Sequence, residues 1–169
     1  MSAQVYRTVI DGLEFAQTGQ TLRGSLPISG LTRLHDSLYD TLGLVEFVAQ
    51  GGRDARQRPT LKLDVSGVLH LKCQRCLGRF DFPLRLANTV LLANAAEAAA
   101  GGLDDDEFEW VEAGPELDVG SLVEDEIILG LPYSPRHAES ECPAGRRDAA
   151  VDADESAFAK LAELKRNLN

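Results

Sequence analysis

Between Leu44 and Leu92 the apolar residues fall on alternate positions. Only extended chain turns a period of two into one buried face, so this stretch of the chain must be built as strands. Leu44, Glu46 and Val48 alternate with Val45, Phe47 and Ala49 up to Gly51-Gly52. In TLKLDVSGVLHLKC, residues Leu61, Leu63 and Val65 alternate on one side of Ser66-Gly67, with Val68, Leu69 and Leu71 on the other. One long strand with a bulge at Ser66-Gly67 is expected, because the flanks are short for a hairpin. Phe80, Phe82, Leu84 and Leu86 alternate again after a tight turn over Cys73 to Gly78, which makes the two runs an antiparallel hairpin.

The remaining signals are helical or irregular. Asp11 can cap a short helix over 11–19, and residues 21–28 read as a short strand. Leu31, Leu34, Leu38 and Leu42 have helical spacing. Asp118 opens a helix with an apolar face at Leu122, Val123, Ile127 and Leu131, stopped by Pro132. The 53–59 segment RDARQRP reads as a polar loop, and Ala-rich 93–102 as a connector. The expected fold is α+β: an antiparallel, curled sheet from strands near 44–50, 60–72, 80–92 and 106–112, with a few short helices packed on it. A single domain is expected over 1–137, then a flexible acidic linker over 138–155. A C-terminal helix over 156–169 carries Phe158, Leu161, Leu164 and Leu168 on one face.

Charge is divided unevenly along the 169 residues. The net charge is −10, yet residues 1–90 hold 11 basic and 8 acidic residues, and residues 91–169 hold 6 basic and 19 acidic. Overall acidity therefore does not decide what the chain binds. No apolar run reaches the ~18–20 residues of a membrane-spanning helix. The N-terminus lacks the basic and apolar regions of a secretory signal. Three cysteines, an odd count, argue against a disulfide scaffold and for a reducing cytoplasm.

The most specific chemical feature is Cys73-Gln74-Arg75-Cys76. Two thiolates three positions apart can ligate one ion from the same side, and zinc then needs two further ligands. His137 and Cys142 supply them, and the set uses every cysteine. Loop-closure cost grows slowly with length, so the long insertion between the half-sites is no obstacle. Two other readings stand beside structural zinc. The cysteines can simply pack a metal-free turn. A redox CxxC is disfavoured, because such pairs open a helix and this one lies between strands. GxGxxG, Walker A, HExxH and GxSxG patterns are absent. Glu124, Asp125 and Glu126 form an acidic run, but neighbours on a helix point ~100° apart, so one or two at most can share a site. They read better as a solvated or partner-facing surface. Lys72, Arg75, Arg79 and Arg85 flank the cysteine turn and could touch phosphates, or simply meet solvent.

Three blocks together resemble the YceD family, the large ribosomal RNA subunit accumulation proteins. They are LKCQRCLGRF (71–80), VEDEIILGLPYSPRHAESEC (123–142) and FAKLAELKR (158–166). The family's motif positions fall on Cys73, Cys76, Glu124, Asp125, Glu126, Pro132, His137 and Cys142. Ser156-Ala157 stands where the family usually has Asn-Pro. The resemblance implies a role in synthesis, processing or stability of large-subunit ribosomal RNA, with no established catalytic residue. The resulting expectation is a non-enzymatic cytoplasmic factor. It would bind a large-subunit ribosomal protein or a ribosomal RNA precursor, with Lys72, Arg75, Arg79 and Glu124–Glu126 as contact residues. No membrane or small-molecule substrate is expected. The alternatives are a metal-dependent RNA-processing enzyme using residues 124–126, and a zinc-stabilised interaction module unrelated to RNA.

Overall fold

The structure is a computed structural model that describes residues 8–99 and 109–143. Its frame is the alternating stretch of the chain. β1 (Val9–Ile10) and α1 (Gly12–Thr18) lead into β2 (Thr21–Pro27), and two 3-10 turns follow at Ile28–Gly30 and Thr32–Ser37. Then come β3 (Leu44–Arg53), β4 (Pro59–Lys72), β5 (Arg79–Ala93), α2 (Ala95–Ala99), β6 (Trp110–Glu112), β7 (Leu117–Asp118) and α3 (Val119–Gly130). Among the described residues the main sheet is open, in the order β2-β3-β4-β5-β6, and β1 pairs with β7 beside it. β2 to β5 are antiparallel. β6 joins β5 in parallel, Leu91 opposite Trp110, after a crossover of the length that parallel pairing demands.

One face of the sheet carries the core. Val45, Phe47 and Ala49 on β3, Leu61, Leu63, Val65, Leu69 and Leu71 on β4, and Leu84, Val90 and Leu92 on β5 are all buried. They meet Phe15 and Ala16 of α1, Val123 and Ile127 of α3, and Leu31, Leu34 and Leu38 of the irregular segment. Two glycines set these approaches. A Cβ on Gly51 would lie 2.3 Å from the Phe15 carbonyl oxygen, so only glycine lets α1 seat on β3. A Cβ on Gly24 would lie 2.7 Å from the Phe47 ring, which fills that space instead. Asp11 caps α1 by accepting from Glu14 N–H at 2.9 Å, and Asp118 caps α3 by accepting from Gly120 N–H at 2.9 Å.

Four local expectations differ from the structure. β4 carries no bulge: the registers with β3 and β5 run unbroken through Ser66 and Gly67. Gly67 keeps its place in the inward series between Val65 and Leu69, and Val68 turns outward, 48% exposed. The residue at 67 is glycine because the β3 backbone comes close; a Cβ there would lie 3.1 Å from the Leu44 carbonyl oxygen. The segment 31–42 is not an α-helix. It makes a 3-10 turn, and Leu38 then bridges to Leu71. A three-residue turn also brings i and i+3 to one face, so Leu31 and Leu34 are buried as the spacing requires. Ala95–Ala99 is a short helix rather than a connector, capped by Asn94 Oδ1, which accepts from Ala96 and Glu97 N–H. The strand expected near 106–112 is observed over 110–112 and is parallel, not antiparallel. Residues 100–108, most of the expected linker and the whole expected C-terminal helix lie outside the described residues.

Candidate metal centre

The β4–β5 hairpin ends in a knuckle. Cys73 N–H donates to the Gly78 carbonyl at 2.9 Å, and Leu77 N–H donates to the Cys73 carbonyl at 2.9 Å. Leu77 takes a left-handed conformation, φ 58°, to close the turn. These bonds put Cys73 and Cys76 on one side. The second half-site arrives after α3. Pro132 stops that helix, and the Pro135 carbonyl accepts from Gln74 N–H at 2.8 Å, stitching the returning chain to the knuckle. A turn in which Glu141 and Cys142 N–H both donate to the Ala138 carbonyl at 3.0 Å then presents Cys142.

The result is a Cys3His cluster. The Sγ atoms of Cys73, Cys76 and Cys142 and a ring nitrogen of His137 all lie within 4.8 Å of one another. Cys73 and Cys142 are fully buried, Cys76 and His137 half-buried, and none of the three thiols is in a disulfide. His137 is oriented from behind: Nε2–H donates to the Arg79 carbonyl at 2.6 Å, which leaves Nδ1 aimed at the cluster, 3.5 Å from Cys76 Sγ. A backbone carbonyl holding the far nitrogen fixes the tautomer a metal-ligating histidine needs. Phe80 packs edge-on against the ring, centroids 5.5 Å apart. This donor set is soft and tetrahedral in number, which fits zinc.

The pKa values of the cluster shift in different directions. Burial raises the Cys73 thiol pKa, but backbone N–H groups of Cys76, His137 and Arg75 overcome it and bring the pKa down to about 6. Cys76 is the reverse: Gly78 N–H favours its thiolate, yet burial and the neighbouring Cys73 and Cys142 sulfurs push it up. The Arg79 carbonyl raises the His137 pKa; burial opposes it, and the sulfurs of Cys142 and Cys73 add to the rise. Three sulfurs this close resist carrying charge together, and a divalent cation removes that conflict. The knuckle joins two strands and opens no helix, so the dipole that activates redox CxxC pairs is absent here.

The other singled-out residues have their own places. Lys72 is exposed, its Nζ 3.5 Å from the Asp36 carbonyl, and Arg75 is exposed at the knuckle. Arg79 is engaged: Nε donates to Asp81 at 2.6 Å and Nη2 approaches His70 Nε2 at 2.9 Å. His70 Nδ1 in turn lies 2.6 Å from Asp40. Glu124 is buried and accepts from Arg33 twice, from N–H at 2.7 Å and Nε at 2.9 Å, while Asp125 takes Arg33 Nη1 at 2.5 Å. Glu126 turns away and accepts from Asn88 Nδ2 at 3.0 Å. All three acids are thus occupied within the molecule. The Cys3His set is the metal-competent cluster among the described residues, and these acids are not in it. Sequence reading missed Arg33, Asn88 and the Asp40–His70–Arg79 chain. Arg33 and Glu124 are 91 positions apart, and no local pattern links them.

Fold and site define a small α+β protein whose principal hairpin is closed by a Cys3His centre. Among the described residues no helix is long and apolar enough to cross a membrane. Residues 61–165 match the family profile of the large ribosomal RNA subunit accumulation protein YceD. The chain belongs to that family. It is 28% identical over 155 residues to the large ribosomal RNA subunit accumulation protein YceD of Haemophilus influenzae, covering 91% of this chain and 84% of the relative. No solved structure matches.

Proposed function

We propose that this protein is a non-enzymatic factor for the accumulation of large-subunit ribosomal RNA, acting in the cytoplasm during ribosome biogenesis. The observation that carries the reading is the family match over residues 61–165, which takes in the knuckle, α3 and all four Cys3His residues. Zinc has a structural role in this reading. It ties the 135–142 segment to the hairpin and so holds one surface in shape for a large-subunit ribosomal protein or precursor ribosomal RNA. An enzymatic reading would need free acids, and Glu124, Asp125 and Glu126 each serve an internal partner. In a strain lacking this protein, the ratio of large- to small-subunit ribosomal RNA is expected to fall. The wild-type chain should restore it, and so should Asp125→Asn with Glu126→Gln. An unchanged ratio in the deletion strain would overturn the role. Failure of the double acid variant, folded and stable, would favour the enzyme instead.

A further inference from the structure

The segment that returns from α3 to the knuckle, Pro132-Tyr133-Ser134-Pro135-Arg136, carries the most exposed aromatic ring among the described residues. Tyr133 is fully exposed, while Pro135 two places on is buried and its carbonyl accepts from Gln74 N–H at 2.8 Å. Prolines on both sides fix φ, so the ring is presented on a braced backbone. At most ~7 Å of extended chain separates it from the bond to Gln74. From that position the ring adds nothing to the core, and leaving it in water costs apolar hydration. Donor groups stand on both sides of the same bond. Gln74 and Arg75 are exposed on the knuckle, and Lys72 is exposed at its base. Arg136 is exposed on the returning segment, its Nε donating to Ser134 Oγ at 3.2 Å. Leu77, 70% exposed, adds the one aliphatic side chain of the turn. The opposing charges nearby are Asp81, which Arg79 occupies, and the exposed Glu139 and Glu141 of the turn before Cys142.

We propose that this strip binds single-stranded RNA, one base stacking on Tyr133 and the flanking phosphates taken by Arg136, Arg75 and Lys72. The choice of partner rests on the ribosomal RNA role proposed above; the residues supply the mode of binding. An open aromatic face accepts any base, because every base has a π-face. Guanidinium groups at 75 and 136 are planar donors with no acceptor, suited both to phosphate oxygens and to stacking on bases. Glu139 and Glu141 weaken the long-range attraction, so stacking carries much of the affinity. A duplex keeps its bases stacked inside and offers no face to Tyr133, so single strands are preferred, with little dependence on sequence. Three phosphate contacts give a slope of log K against log salt of about −2. Zinc at the Cys3His set holds the returning segment against the knuckle and so fixes the spacing of ring and guanidinium groups.

Fluorescence anisotropy tests this, with the full chain titrated into a labelled mixed-sequence RNA of about ten nucleotides. The single strand should bind more tightly than the same RNA in a duplex. Tyr133→Ala should weaken binding about tenfold, and Tyr133→Phe should bind as the wild type does, because the ring stacks and the hydroxyl does not. Arg136→Ala should reduce the salt slope by about 0.7. Tyr133 is fully exposed, so its variants should keep the melting temperature of the wild type. Equal affinity for the duplex, no binding by the wild type, or undiminished RNA binding by Tyr133→Ala would each overturn the proposal. In the last case, loss of binding to a purified large-subunit ribosomal protein would make the strip a protein contact instead. The ribosomal RNA ratio in the deletion strain does not depend on this titration, so the role and the binding mode fail separately.

Discussion

Arg33 and Glu124 show how a residue far away in sequence decides a residue's role. Glu124 reads as surface from its place in an acidic run, yet it is 7% exposed because Arg33 supplies two donors to it. Glu124→Ala would strip the Arg33 N–H and guanidinium of their acceptor. It should cost about 1–3 kcal/mol by chemical denaturation, the lower end reflecting the half-exposed guanidinium. Glu124→Gln should cost less, since one acceptor oxygen survives. Gly51 is the opposite kind of residue, silent in sequence and decisive in packing. Gly51→Ala would drive a methyl into the Phe15 carbonyl and should cost roughly 3 kcal/mol, the upper end of overpacking. Asp40 adds a pH dependence. The bond to His70, then Leu42 N–H, hold its carboxyl below the usual carboxylate range. Its contribution is therefore present above the ordinary aspartate pKa and is lost as pH falls through the lowered value. Asp40→Asn should lower stability at neutral pH and flatten the acid limb of a stability–pH profile, so that variant and wild type converge at low pH.

At the scale of elements, alternation located β3, β4 and β5 because each is half-buried, and a strand with one wet face writes its pleat into the sequence. The same rule resolves Ser66-Gly67. Counting parity through the glycine keeps Leu61 to Leu71 on one face, whereas reading Val68 as core forces a bulge that the registers exclude. Residues 31–42 show the limit of periodicity: spacing fixed which leucines are buried but not the backbone, since 3-10 and α turns share the i, i+3 relation. Caps were legible at both real helices with Asp N-caps. Asp118→Ala should destabilise α3 and the fold by about 1 kcal/mol. The knuckle is the element on which the metal reading turns. Protein purified without a polyhistidine tag should carry about one zinc per chain, absent in Cys73→Ser and Cys76→Ser. Chelation should lower the melting temperature of the wild type and not of those variants. Metal-free wild type with an unaltered melting temperature on chelation would leave the cluster as packing.

For the whole molecule, the charge division becomes a matter of placement. Near the knuckle Arg79 serves Asp81 and His70, Lys72 reaches the Asp36 carbonyl, and the side chains of Lys72 and Arg75 lie at the surface. Acids of α3 are likewise tied to Arg33 and Asn88. Any electrostatic contact with pre-ribosomal particles therefore rests on fewer charges than composition implies. Co-sedimentation should still weaken between low and moderate salt, with Lys72→Ala and Arg75→Ala together reducing the salt slope. A salt-independent association would place the contact on apolar surface instead.

The sequence by itself determined what is local. It set the strands that bury one face, the helices that an aspartate caps, and the four ligand types whose chemistry suits zinc. Those properties depend on backbone geometry and side-chain chemistry within a few residues. Only the tertiary structure decided what depends on distant partners. It paired Arg33 with Glu124, aimed His137 by the Arg79 carbonyl, set β6 parallel to β5 and kept β4 unbroken at Gly67. Each of these joins groups that are close in space and far apart in the chain. Their energies come from desolvation and packing that no window of sequence contains.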